Sequence, residues 1–82
     1  MTQQLFNERK DKLKKLAIEE KDDIKADLNT RQSIERLLKL LEMYNYDNRV
    51  KMKGILTRTI IDSLRINYSL GEKFIQFDNS IT

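Results

Sequence analysis

The sequence feature that most constrains the fold is a periodic apolar pattern in residues 33–64. In its first half, SIERLLKLLEMY, apolar residues recur three, four, seven and ten positions after Ile34. This spacing follows one face of an α-helix, which turns about every 3.6 residues. Two further apolar residues widen the face, so we expect this helix to have neighbours on two sides. The full set is Ile34, Leu37, Leu38, Leu40, Leu41, Met43 and Tyr44.

A second periodic run follows a polar break at residues 45–48. Its members are Val50, Thr57, Ile60, Ile61 and Leu64. The sequence therefore predicts two helices, at about residues 31–45 and 48–66, whose short connection makes them an antiparallel αα-hairpin. We expect this hairpin to form the core of the fold. The residues expected to be buried in it are Ile34, Leu38, Leu41, Ile61 and Leu64.

A glycine lies inside the predicted third helix. Gly54 costs a helix about 1 kcal/mol relative to alanine. Two explanations are open: another helix backbone packs closely against the glycine, or the helix begins later than the pattern suggests. We favour close packing because the apolar period continues through Gly54.

The chain before the hairpin is predicted to be a long, highly charged helix over residues 2–27. Its narrow apolar stripe is interrupted at residues 19–23, EEKDD, so we expect it to pack across the hairpin or against a second copy. The stripe contains Leu5, Phe6, Leu13, Leu16, Ala17, Ile24 and Leu28.

Residues that cap helices suggest where each helix begins. We expect Thr2 to cap the first helix, Asn29 the second, with Thr30 as the alternative, and Asp47 the third. The segment from Ser69 to Glu72 matches the Ser-x-x-Glu capping box, which predicts a short C-terminal helix over residues 70–78. The alternative is a strand, because FIQF is rich in residues that favour strands.

The C-terminal helix is the predicted partner surface. Its apolar side chains share one side, and a helix this short is not stable alone. It must pack either on its own chain, which is the commoner outcome, or on a partner protein. The candidate partner-binding residues are Tyr68, Leu70, Phe74, Phe77 and Ile81.

Three basic residues define an alternative, nucleic-acid-binding surface. Lys51, Arg58 and Arg65 are spaced by seven, so they would share one face of a continuous third helix. Such a stripe can follow phosphates. Asp62 lies among them, however, so we favour an ordinary solvated face and expect only weak, non-specific nucleic-acid binding.

Composition limits both the fold and the chemistry. The 82 residues predict a single domain, residues 1–82, and the absence of Pro with only two Gly favours an all-α small helical bundle. Without His, Cys or a Gly-rich phosphate loop, the residues of most catalytic mechanisms are missing. We therefore expect no enzyme activity and no cofactor. The carboxylates of residues 19–23 are expected to be a solvated face and not a metal site.

Two further expectations concern assembly and location. So small a core contributes only about 3–5 kcal/mol, so we expect a homodimer or a protein partner to stabilise the chain. No apolar run approaches the roughly 18–20 residues of a membrane span, and the start does not resemble a signal peptide. We expect a cytoplasmic protein that does not contact membranes. Ten Lys, nine Ile and six Asn are typical of an AT-rich genome, such as a low-GC bacterium, a phage or a mobile element.

These observations favour a small helical protein-binding regulator or inhibitor, of the immunity, anti-defence or adaptor type. The first alternative is a nucleic-acid-binding regulator that uses the basic face of the third helix. The second is a structural dimeric bundle. Two segments, YNYDNR and FDNSI, have an unusually specific composition that none of these functions explains.

Overall fold

Helices account for all the regular secondary structure in the described part of the chain. The computed structural model describes residues 1–63 and 66–81. The helices are α1 (Gln3–Asp22), α2 (Leu28–Met43), α3 (Arg49–Met52), α4 (Ile55–Ser63) and α5 (Tyr68–Asn79). The predicted all-α bundle is confirmed, and the C-terminal segment is a helix and not a strand. No helix in residues 1–63 and 66–81 has the length and apolar character needed to cross a membrane.

The four longer helices run alternately in opposite directions. The most extensive packing is between α1 and α2 and between α4 and α5, and α1 also packs on α5. The helices α2 and α4 contact each other, as the predicted hairpin requires, but over fewer residues. The predicted hairpin therefore is not an independent core, because α2 packs mainly on α1 and α4 packs mainly on α5.

One continuous core joins the first and last helices. Phe6 of α1 is 5.6 Å from Phe77 of α5, measured between ring centroids, and Tyr44 is 6.1 Å from the same ring. The buried apolar residues are Phe6, Leu13, Ala17, Ile34, Leu37, Leu41, Tyr44, Leu56, Leu70, Phe74, Phe77 and Ile81. Because four of them belong to α5 or follow it, the C-terminal helix completes the core.

The predicted burial is confirmed at two of the three residues of α2 and is wrong at Ile61 of α4. Ile34 and Leu41 are buried as expected, whereas Leu38 is only half-buried. Ile61 is exposed, whereas Leu56 of α4 is buried in the core and Ile60 is half-buried against it. Leu64 lies outside the described residues.

The cause of this difference is a break in the predicted third helix at Gly54. Its φ is +95°, a conformation that residues with a Cβ rarely adopt. The chain therefore ends α3 at Met52 and begins α4 at Ile55 with a new helical phase. A Cβ atom at Gly54 would meet nothing within 4 Å, so close helix packing is the wrong explanation for this glycine.

Thr2 caps α1 as predicted, with its hydroxyl oxygen 3.2 Å from the amide nitrogen of Leu5. The cap of α2 is Asp27 and neither Asn29 nor Thr30, because the Asp27 carboxylate accepts a 2.7 Å hydrogen bond from the amide of Thr30. A carboxylate is a stronger acceptor for these amides than a neutral side chain.

The other two predicted caps are also displaced. Asn48, not Asp47, precedes α3, and its side chain instead accepts a hydrogen bond from the amide of Asn45. Asn67 precedes α5, and its side chain accepts a hydrogen bond from the amide of Ser69. Because α5 begins at Tyr68, Ser69 lies inside the helix and the predicted capping box does not form.

Candidate functional site

The C-terminal face predicted to bind a partner is covered by the chain itself. Four of its five residues are buried in the core, and only Tyr68 is exposed. The buried four are Leu70, Phe74, Phe77 and Ile81. The structure thus shows the alternative in which α5 packs on its own chain, and these four side chains do not form an exposed surface.

A buried carboxylate on the same helix connects three parts of the fold. Asp78 is fully buried, and its carboxylate oxygens accept hydrogen bonds from the Gly54 amide at 2.9 and 3.0 Å. The amide and hydroxyl of Thr57 donate to the same group at 3.1 and 2.6 Å. Since free amides and a partial positive charge occur where a helix begins, Asp78 caps α4 from α5.

Tyr44 completes this buried cluster. Its hydroxyl lies 2.7 Å from both the Asp78 carboxylate and the Met52 carbonyl oxygen, and it accepts from the Leu56 amide at 3.1 Å. Burial raises the pKa of Tyr44, and the hydrogen bond to Asp78 raises it further. The side chains of Tyr44 and Asp78 are closed to solvent, and their hydrogen bonds fix the turn around Gly54.

Sequence reasoning missed this cluster because its members are far apart in the chain. Asp78 is 24 residues from Gly54 and 34 from Tyr44. The available signal was the composition of YNYDNR and FDNSI, since the first begins with Tyr44 and the second contains Asp78. Each of the two segments that lacked an explanation thus contributes a residue to this one cluster.

The predicted nucleic-acid stripe is not a single helical face. Lys51 and Arg58 are both exposed, but Lys51 belongs to α3 and Arg58 to α4. The turn at Gly54 separates the two helices, so the spacing of seven no longer aligns the two side chains. Arg65 lies outside the described residues.

Several exposed apolar residues lie near the end of the bundle at which α1 and α4 end and α2 and α5 begin. The turn between α1 and α2 and the segment before α5 line one shallow cleft, which includes Ala26 and Asn67. Beside these connections are four exposed apolar side chains, which we call the apolar end: Ile24, Tyr68, Ile61 and Leu28, with exposed fractions of 90, 83, 71 and 69%. These are the largest values among the large apolar residues of the described chain.

Acidic groups lie beside the apolar end. Among the described residues, its cleft is lined by Glu20, Asp23 and Asp27 and by one cation, Lys25. Like charges near an exposed apolar surface discourage association with a surface of the same sign. The apolar end therefore favours contact with an apolar surface that is also basic over one that is acidic.

A second surface feature is an open groove of about 530 Å³ between α1 and α5. We call it the cationic groove, because three of its residues are basic and none of the described residues lining it is acidic. It is lined by Arg9, Lys12, Leu13, Leu16, Lys73, Gln76, Phe77 and Ser80.

The acidic residues of α1 and the following turn do not converge on a metal site. Within residues 1–63 and 66–81, no group of three or more His, Cys, Asp or Glu side chains is arranged to hold a metal ion.

Comparisons of the chain with protein-family models, with curated proteins and with solved structures found no match.

Proposed function

We propose that this chain is a small non-enzymatic regulator or inhibitor that acts by binding another protein through its apolar end. The observation that carries the proposal is the position of the four most exposed large apolar side chains at one end of the bundle. Contiguous exposed apolar surface is uncommon on soluble monomers and is typical of protein interaction sites. Tyr68 adds the aromatic, amphipathic side chain that is enriched at the centre of such interfaces.

The charges at this end favour a particular partner. Glu20, Asp23 and Asp27 lie beside the apolar side chains, so a partner with an apolar patch and a basic rim complements the surface. A second copy of the chain is a less favourable occupant. A two-fold symmetric contact places the same patch on both subunits, so these carboxylates would lie opposite the same carboxylates of the other subunit and repel them.

An affinity-capture experiment with paired variants tests this proposal. The bait is the intact chain or its Ile24→Ser/Tyr68→Ser variant, in an extract of the source organism, with the retained proteins identified by mass spectrometry. The matched control is Met43→Ser/Val50→Ser, because Met43 and Val50 are also exposed apolar residues but lie outside the apolar end. All three baits should have the same melting temperature within a few degrees.

The proposal predicts a protein that the wild type and the Met43→Ser/Val50→Ser control retain and the Ile24→Ser/Tyr68→Ser variant loses. The affinity for that protein, once purified, should fall at least about tenfold for the variant. Equal capture by all baits, or no specifically retained protein, would contradict it.

Light scattering at micromolar concentration tests whether a second copy of the chain binds at the apolar end. The homodimer expected from the sequence stays a prediction, with a mass of twice the 9.8 kDa chain. If it forms through another surface, Ile24→Ser/Tyr68→Ser should leave it intact. A dimer that this variant dissociates would instead assign the apolar end to self-association.

A further inference from the structure

We infer that the cationic groove between α1 and α5 binds an acidic amphipathic helix of a partner protein. This goes beyond the proposed function, because the groove and the apolar end share no residue. The chain would then have two binding surfaces of opposite charge.

The two walls of the groove have the same helical spacing. On α1 the lining residues are Arg9, Lys12, Leu13 and Leu16, and on α5 they are Lys73, Gln76, Phe77 and Ser80. Each set follows the spacing 0, 3, 4 and 7, which is one face of a helix. The helices are antiparallel, and a 3.4 Å hydrogen bond from the Arg9 guanidinium to the Ser80 hydroxyl joins the walls at one end.

The floor of the groove is apolar and its rim is basic. Leu13 and Phe77 form the floor, with exposed fractions of 4 and 5%, and Leu16 is half-buried. The rim carries Lys12 and Lys73, and neither forms an ion pair with any residue that the structure describes. An occupant must therefore supply apolar side chains for the floor and negative charge for the rim.

An acidic amphipathic helix meets both requirements. The groove extends over eight residues of each wall, a rise of about 10 Å, which matches about two turns of a docked helix. It is open along its length, whereas small-molecule sites enclose most of their ligand. Helices that dock in grooves insert one apolar face, and their flanking carboxylates would reach the three cations here.

Nucleic acid fits the groove less well. A phosphate backbone supplies negative charge but no apolar side chains for Leu13, Leu16 and Phe77. Three cations also provide few phosphate contacts, since duplex binding at physiological salt depends on many. Duplex DNA is therefore the competing ligand in the test.

The test uses fluorescence polarisation with the full chain and a labelled model peptide. The peptide is a helix of about 15 residues, with Leu at the positions of one face and Glu on both sides of that face. A peptide of the same composition in scrambled order and a labelled 20-base-pair duplex are the comparison ligands.

Charge-reversal variants locate the binding site. Lys12→Glu/Lys73→Glu changes the groove, and Lys15→Glu/Lys39→Glu is the matched control. Lys15 and Lys39 are exposed residues that do not line the groove, so both double variants have the same net charge. Ile24→Ser/Tyr68→Ser serves as a second control, because it changes only the apolar end.

We expect the patterned peptide to bind at least about tenfold more tightly than the scrambled one. Lys12→Glu/Lys73→Glu should weaken its binding at least about tenfold, whereas both control variants should bind it as the wild type does. If Lys15→Glu/Lys39→Glu weakened binding equally, binding would depend on net charge and not on the groove, which would overturn the inference. Equal binding of the two peptides, no binding of either, or tighter binding of the duplex that is lost with the same lysines would also overturn it.

Discussion

At the scale of single residues, the fold depends on one buried carboxylate. Asp78 accepts hydrogen bonds from the amides of Gly54 and Thr57 and from two hydroxyl groups. Among the described residues, no buried cation neutralises Asp78. These donors and the N-terminal end of α4 therefore stabilise its negative charge. Its loss would leave several buried donors unpaired.

Replacement of Asp78 by Asn should lower the free energy of unfolding by about 2–3 kcal/mol. Both carboxylate oxygens accept from donors, so the new amide nitrogen would face a donor in either orientation. Urea denaturation of Asp78→Asn measures the loss. The control Asp47→Asn changes an exposed carboxylate and should stay within about 0.5 kcal/mol of the wild type. Equal stability of the two variants would show that Asp78 does not cap α4.

The raised pKa of Tyr44 predicts a loss of stability at alkaline pH. A folded-state pKa above the unfolded value of about 10 means that the folded chain binds this proton more tightly. Its contribution to stability is therefore complete below pH ~10 and is lost as the pH rises toward the folded-state pKa.

Tyr44→Phe tests this linkage. Urea unfolding at pH 7, 9 and about 11 should show a lower stability for the variant at neutral pH. The variant should then lose less stability than the wild type above pH ~10. The comparison isolates Tyr44, because every other ionisable group is the same in both proteins. Identical pH profiles would contradict the buried, hydrogen-bonded position of the hydroxyl.

At the scale of helices, the break at Gly54 determines which residues of α4 reach the core. The periodicity of the sequence continues through this glycine, so a single helix over residues 48–66 was a reasonable prediction. The positive φ of Gly54 instead ends α3 and starts α4 in another phase. Ile61 is consequently exposed and joins the apolar end.

Gly54→Ala should destabilise the chain by about 1–2 kcal/mol. The space for a Cβ atom is free, so the cost comes from the backbone conformation alone. Gly54→Asn should cost less, because Asn tolerates positive φ better than Ala does. Thermal or urea unfolding of both variants checks the order. A Gly54→Ala variant as stable as the wild type would indicate one continuous helix.

The sequence predicted local features better than distant ones. The face of α2 and the cap at Thr2 could be inferred because they depend on residues within two turns of each other. The cap at Asp78 could not, because its partners come together only when α5 packs on α4. The apolar end was missed for the same reason, since Ile24 belongs to the turn after α1 and Tyr68 to the start of α5.

At the scale of the whole molecule, the C-terminal helix closes the bundle and leaves the apolar end exposed. Phe74 and Phe77 of α5 are buried in the same core as Phe6 of α1. Tyr68, at the start of α5, is exposed. One helix thus has a stabilising face and an exposed end. A partner can bind the exposed end without unfolding the chain, as the proposed function requires.

The measurement that tests this account most directly is urea unfolding of Phe77→Ala beside Tyr68→Ala, two truncations of aromatic residues on one helix. Phe77 is buried, so its loss should lower the free energy of unfolding by about 3–5 kcal/mol, enough to unfold much of so small a domain. Tyr68 is exposed, and its loss should change stability by less than about 0.5 kcal/mol. A Phe77→Ala variant as stable as Tyr68→Ala would show that α5 does not close the core.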